Sequence, residues 1–129
     1  MSLSWRDVDP ELLRQPFRDD IDTLLHNSPY VWVALYGYRG LEEQYVLYQK
    51  FLKGGPRAAP PGRSAHNYGL ALDVALDGSD APGLQADWNT SHPGWAWLFD
   101  AVWKHPRLHS GRSFNDADHV EALGWKALK

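Results

Sequence analysis

The sequence predicts an α+β fold, a small antiparallel sheet flanked by helices, as a single domain over residues 1–129. Three observations carry this. Apolar residues recur at helical spacing in the stretches 17–25 and 41–52. Short runs around 30–36 and 69–75 are rich in the β-branched, aromatic and aliphatic residues of strands. Helical and strand-like segments follow one another without the strand–helix–strand rhythm of a parallel sheet. A chain of 129 residues builds one core.

Taken in order, Asp9-Pro10-Glu11 reads as a helix start, with Asp9 as cap and Pro10 at the first helical position. Pro16 restarts the helix, and Phe17, Ile21, Leu24 and Leu25 form its apolar stripe. Tyr30 to Tyr36 reads as a strand, followed by a turn in which Gly37 and Gly40 bracket Arg39. Leu41, Tyr45, Tyr48 and Leu52 define an amphipathic helix with Glu42 and Glu43 in its first turn, stopped by Gly54-Gly55. Residues 54–63 form a Gly/Pro-rich loop, longer than most connections. A strand follows at 69–75, then a polar, turn-rich stretch over 77–91. Trp95, Leu98, Phe99, Val102 and Trp103 predict a helix after Pro93, residues 104–113 read as a basic loop with Lys104, Arg107 and Arg112 as a solvated edge, and His119 to Leu123 reads as a short strand.

Composition narrows the function. With 43% hydrophobic and 22% charged residues the chain is globular and not disordered. A net charge of −3 without a Lys/Arg run argues against a nucleic-acid partner. The absence of cysteine excludes disulfides and thiolate metal sites. No apolar segment follows the charged N-terminus, so no signal peptide is expected, and no stretch reaches membrane-spanning length. The seven tryptophans are assigned to packing.

The stretch SAHNYGLALDV, residues 64–74, carries the chemistry. On a strand Leu70, Leu72 and Val74 share one face, and Ala71, Asp73 and Ala75 the other. The leucine face suits a core. The alanine face leaves room above Asp73, and Gly69 lets the chain bend so that His66 returns over it. Histidine and aspartate are both zinc ligands, and a catalytic zinc takes three protein ligands plus water. Among His26, His92, His105, His109 and His119, the last is best placed as third ligand, because it begins a predicted strand. Asp116, three residues upstream, can lie beside the metal without binding it and act as general base. Glu121 reads as a supporting or exposed carboxylate.

The pattern S-x-H-x-x-G-x-A-x-D with a later D-x-x-H resembles the zinc D-Ala-D-Ala carboxypeptidase and L-alanyl-D-glutamate endopeptidase family, whose fold is shared with hedgehog domains. HNYGLALD is most similar to the endopeptidase branch, and YGYRGLEEQ at 36–44 resembles the family's Y-R-S-x-E-E-Q segment. The resemblance covers residues 36–121. It implies His66, Asp73 and His119 as Zn2+ ligands, Asp116 as catalytic base, Arg39 as catalytic and substrate-binding guanidinium, and Ser64 as a supporting, substrate-side hydroxyl. Three positions depart from the pattern. Gly40 replaces a serine, Asp118 stands where proline often precedes the third ligand, leaving two aspartates as possible bases, and HSGRSF replaces a Gly-Gly-x-Trp wording.

The expectation is therefore a monomeric zinc peptidase that hydrolyses peptidoglycan stem peptides between L-alanine and D-glutamate. As in a phage endolysin, it would be made in the cytoplasm without a signal peptide and act on the wall after release. A D,D-carboxypeptidase is the alternative within the same chemistry, and a hedgehog-like zinc module without hydrolysis the alternative outside it.

Overall fold

The computed structural model describes residues 3–77, 86–87, 92–114 and 116–129. Strands β1 (Leu3–Ser4), β2 (Trp32–Tyr36), β3 (Ala71–Asp77), β4 (Ala86–Asp87), β5 (Leu108–Ser110) and β6 (His119–Ala122) form one sheet in the order β1-β2-β3-β6-β5, with β4 beside β3. All pairings are antiparallel except β1 with β2. Three helices, α1 (Phe17–His26), α2 (Leu41–Leu52) and α3 (Pro93–Lys104), complete the α+β fold. Among the described residues no helix is long and apolar enough to cross a membrane.

The central strand β3 behaves as its alternation predicts. Leu70, Leu72, Val74 and Leu76 are at most 3% exposed and join Phe17, Ile21 and Leu25 of α1 and Trp95, Leu98 and Val102 of α3 in one core. Trp32, opposite Leu76 in the ladder, meets Trp95 edge to face with ring centroids 5.5 Å apart. Gly94 lets α3 approach, since a Cβ there would stand 2.6 Å from a Leu76 methyl. Burying each of these large side chains contributes about 1.5–3 kcal/mol, enough to fix the strand's register and so the direction of Asp73.

Several expectations need amendment. Asp9 caps only a 3-10 turn, Pro10–Leu12, accepting from the Glu11 N–H at 2.9 Å. Leu3 lies buried in β1, a strand the sequence did not signal. The segment read as a basic loop contains β5, and Arg107, exposed as expected of a solvated edge, also pairs with α1: its Nε and Nη2 each donate to Asp20 at 2.7 Å. The predicted stripe of α2 faces outward: Leu41, Tyr45 and Leu52 are 55–58% exposed, and the helix buries only Gln44. Trp103 ends α3 in solvent, against the packing role expected of it. The polar stretch 77–91 lies largely outside the described residues.

Candidate metal centre

The 3-10 turn Ala65–Tyr68 delivers the first histidine. Ser64 caps it, its Oγ accepting the His66 N–H at 3.2 Å, and Asn67 Oδ1 accepts the Ser64 N–H in return. Gly69 ends the turn at φ 67°, the left-handed conformation a glycine adopts without strain. The chain then enters β3, and Asp73 emerges on the face opposite the leucines. In the ladders Asp73 lies across from His119 of β6 on one side and Tyr36 of β2 on the other. Ladder partners share a face, so three strands and one turn converge.

His66, Asp73 and His119 are buried and close enough to share one cation. Asp73 Oδ1 lies 3.2 Å from His66 Nε2 and 3.0 Å from His119 Nδ1. Zinc–ligand bonds of about 2.0–2.1 Å in a tetrahedron separate ligand atoms by about 3.4 Å, so the observed spacings fit. The remaining ring nitrogens decide the chemistry. His66 Nδ1 is 2.7 Å from the Gly37 carbonyl oxygen, and His119 Nε2 is 2.8 Å from Glu121 Oε1. Both partners only accept, so both nitrogens carry hydrogen, which leaves the nitrogen of each ring that faces Asp73 as the one able to ligate a cation. In the metal-free chain protons on those nitrogens donate to the Asp73 carboxylate, and a cation would take their place. For Asp73, burial works against the ionised form, but hydrogen bonds from His119 and His66 outweigh it and hold the carboxyl well below its usual range. For the metal-free His119, burial opposes the proton, yet Asp73 and Glu121 raise its pKa to about 10.

Asp116 sits at the mouth. Its side chain is 48% exposed, and its Oδ2 is 3.9 Å from His119 Nδ1. A tight turn holds it, with the Asp116 N–H donating to Gly111 O at 2.9 Å and the His119 N–H to Asp116 O at 3.1 Å. Gly111 is required here, since a Cβ would collide with the Asp116 carbonyl. Asp118 is tied to β3 through its carbonyl, which accepts the Val74 N–H at 2.8 Å. Burial first, then hydrogen bonding to Asp116, pushes the Asp118 carboxyl up to about 8. Asp73, Asp116 and Asp118 form a second acidic group sharing Asp73 with the first.

Arg39 is half-buried beside this turn. Its backbone N–H donates to His66 O at 2.9 Å, its Nη1 to Gln44 Oε1 at 3.2 Å, and its guanidinium lies 5.9 Å from the Tyr36 ring centroid. Gln44, 1% exposed, also donates to Ala59 O at 2.8 Å, tying α2 to the loop 54–63. Asn67 Nδ2 donates to Arg39 O at 2.9 Å. Of the two readings given to Glu121, supporting or exposed, the contact with His119 Nε2 favours the supporting one, as two residues apart on a strand share a face. From the sequence Gln44 reads as a residue that could orient its neighbours but not as part of the site, because no periodic signal marks a lone buried amide, and its hydrogen bonds to Arg39 and Ala59 fit that orienting role.

The vancomycin-resistance D,D-dipeptidase VanXYg, in complex with a D-Ala-D-Ala phosphinate analogue, superposes with a TM-score of 0.62 at 19% identity, covering 86% of this chain and 50% of that one. The Serratia marcescens L-Ala D-Glu endopeptidase ChiX gives 0.61 at 16% identity, covering 88% and 82%. The chain has the D,D-peptidase fold. Another structure with this D,D-peptidase fold, a D,D-pentapeptidase VanY mutant in complex with Zn(II), gives 0.53 at 20% identity, covering 87% and 71%. In sequence, 93 residues are 31% identical to a D-alanyl-D-alanine carboxypeptidase of Enterococcus faecium, covering 72% of this chain and 27% of that protein, so the chain spans about a quarter of its length. No family model matches the chain.

Proposed function

We propose that the chain is a zinc-dependent peptidoglycan peptidase that cleaves stem peptides at the L-alanine–D-glutamate bond. The observation that carries this is the donor set: His66 Nε2, Asp73 Oδ1 and His119 Nδ1 converge with both histidine tautomers fixed from behind. In this reading those three residues hold zinc. When bound, zinc polarises the scissile carbonyl and lowers the pKa of water at the site to about 7. Asp116, half-exposed at the mouth, takes the proton of the attacking water and later delivers it to the leaving amine. Asp118, whose carboxyl burial and hydrogen bonding to Asp116 push up, is the partner of that base. Arg39, steadied by Gln44, meets the oxyanion or a substrate carboxylate. Ser64 accepts from His66 N, so its own O–H can donate to the substrate.

The fold shared with ChiX and the HNYGLALD wording support the endopeptidase bond. The Enterococcus faecium relative favours a second reading, removal of a terminal D-alanine. Digestion of purified sacculi with zinc, with and without chelator, tests the metallopeptidase, and mass spectrometry of the fragments tells new N-terminal D-glutamate from released D-alanine. Asp116→Asn should lower kcat by about 10²–10⁴ while zinc still binds. Chelator-resistant digestion, or full activity in Asp116→Asn, refutes the mechanism.

A further inference from the structure

A pocket of about 390 Å3 opens between the loop 54–63 and the last turn of the chain, Trp125–Ala127, and Pro60, Arg63, Trp125, Lys126 and Lys129 line it. It is separate from the metal centre and shares no lining residue with it. Its aromatic wall is fixed. Trp125, 7% exposed, is backed by Tyr68 in a stack with ring centroids 5.8 Å apart, and Tyr68 Oη donates to Gly62 O at 2.7 Å. Charge is segregated here. The segments that build the pocket, 53–72 and 122–129, carry Lys53, Arg57, Arg63, Lys126 and Lys129 and no Asp or Glu, in a chain with 16 acidic residues and a net charge of −3. Arg63, Lys126 and Lys129 are exposed, and the Lys/Arg ion pairs among the described residues engage Arg18, Lys104 and Arg107 and none of these three.

We infer that this pocket docks a phosphate polymer, a chain of phosphodiester-linked polyol units on the wall; the choice of a wall polymer rests on the peptidase reading above, and the anion site does not. The lining selects the charge, because it offers three unpaired cations and no acidic side chain. It also favours phosphate over carboxylate. Arg63 alone can satisfy the two coplanar oxygens of a carboxylate with its fork, whereas cations from two segments approach a tetrahedral phosphate from different sides. Nucleic acid fits less well. Its bases need an open aromatic face, and here Tyr68 covers Trp125 while the Lys126 and Lys129 ammonium groups each lie 5.9 Å from the Trp125 ring centroid. A lysine held over a ring keeps its N–H donors, so both remain available to phosphate oxygens. A polyol phosphate brings the charges without the bases.

The test titrates the full, zinc-loaded chain with poly(glycerol phosphate) by calorimetry at several salt concentrations. Saturable binding is expected, with log K falling against log salt at a slope of about −2 for three phosphate contacts, roughly a twentyfold loss between about 50 and 200 mM. The double variant Lys126→Gln/Lys129→Gln, at exposed positions, should bind about tenfold or more weakly and reduce the slope to about −0.7. A functional arm compares sacculi that retain their phosphate polymer with sacculi stripped of it by acid. The parent should digest the first faster, and the double variant should digest both alike while cleaving free stem peptide at the parent rate. No binding, a salt-independent affinity or an unchanged slope in the variant overturns the inference. So does equal or tighter binding of polyglutamate, of single-stranded DNA of equal charge or of anionic phospholipid vesicles, or displacement of the polymer by free stem peptide. Polymer binding without cleavage of any stem peptide supports the docking site and overturns the peptidase reading instead, so the two failures are distinguishable.

Discussion

Gly69 and Gly124 provide a controlled pair. Their backbones are nearly identical, φ 67° and ψ 30° against φ 68° and ψ 29°. An alanine at either position bears the left-handed penalty of about 1–2 kcal/mol. At Gly124 nothing lies within 4 Å of an added Cβ. At Gly69 the Cβ would stand 2.5 Å from Leu12 O and 3.3 Å from both Arg14 N and Leu13 Cα, all backbone atoms. The Gly69 carbonyl also accepts the Arg14 N–H at 2.9 Å, so the two segments cannot separate without losing that bond. Crowding of this kind adds about 1–3 kcal/mol. Gly69→Ala should therefore cost about 2–5 kcal/mol and Gly124→Ala about 1–2 kcal/mol. For a chain of this size each kcal/mol moves Tm by roughly 3–6 °C. Thermal unfolding followed by circular dichroism reads the difference, and chelator competition reads its consequence. Gly69 ends the turn that presents His66, so only its variant should also weaken zinc binding. Equal losses of Tm in the two variants would refute the claim that backbone contact, rather than dihedral strain, makes Gly69 indispensable.

Other substitutions separate the parts of the centre. Glu121→Ala should weaken zinc binding about 10–100-fold by freeing the His119 ring, with Glu121→Gln, which keeps an acceptor oxygen, losing less; competition with a coloured chelator measures both. Gln44→Leu should leave zinc stoichiometry at parent level yet lower kcat/KM by releasing Arg39, and it should cost about 1–3 kcal/mol of stability by stranding buried partners. Zinc uptake by the metal-free chain should release about one proton at neutral pH. The His119 proton, held until about pH 10, must leave before Nδ1 can ligate, so affinity should rise about tenfold per pH unit and level off above that value. Calorimetry in buffers of different ionisation enthalpy counts the proton, and a pH-independent affinity would contradict the assignment.

The convergence of His66, Asp73 and His119 was legible because these residues obey short-range rules. Alternation put Asp73 opposite the leucines, Gly69 allowed the turn, and the spacing to His119 followed a strand that formed as expected. Non-local effects were not legible. Strand β1 is two residues long and exists because Leu3 finds a place beside Trp32. Strand β5 hides in a basic stretch because only Leu108 faces the core, while Arg107 reaches Asp20, 87 positions away. The outward turn of α2 reversed a periodicity argument, because hydrogen bonds from one amide, not its apolar stripe, fix which face lies inward.

That single amide has a mechanical consequence. The three residues proposed to hold zinc are mounted on the sheet and on a turn backed by it, where opening requires breaking ladders over a closed core. Arg39 shares its hydrogen bonds with a helix whose one buried side chain is polar. Local unfolding follows the least apolar burial. In hydrogen exchange α2 should therefore release its amides ahead of β3 and β6, so the arm that would hold substrate can yield while the socket beneath it stays shut.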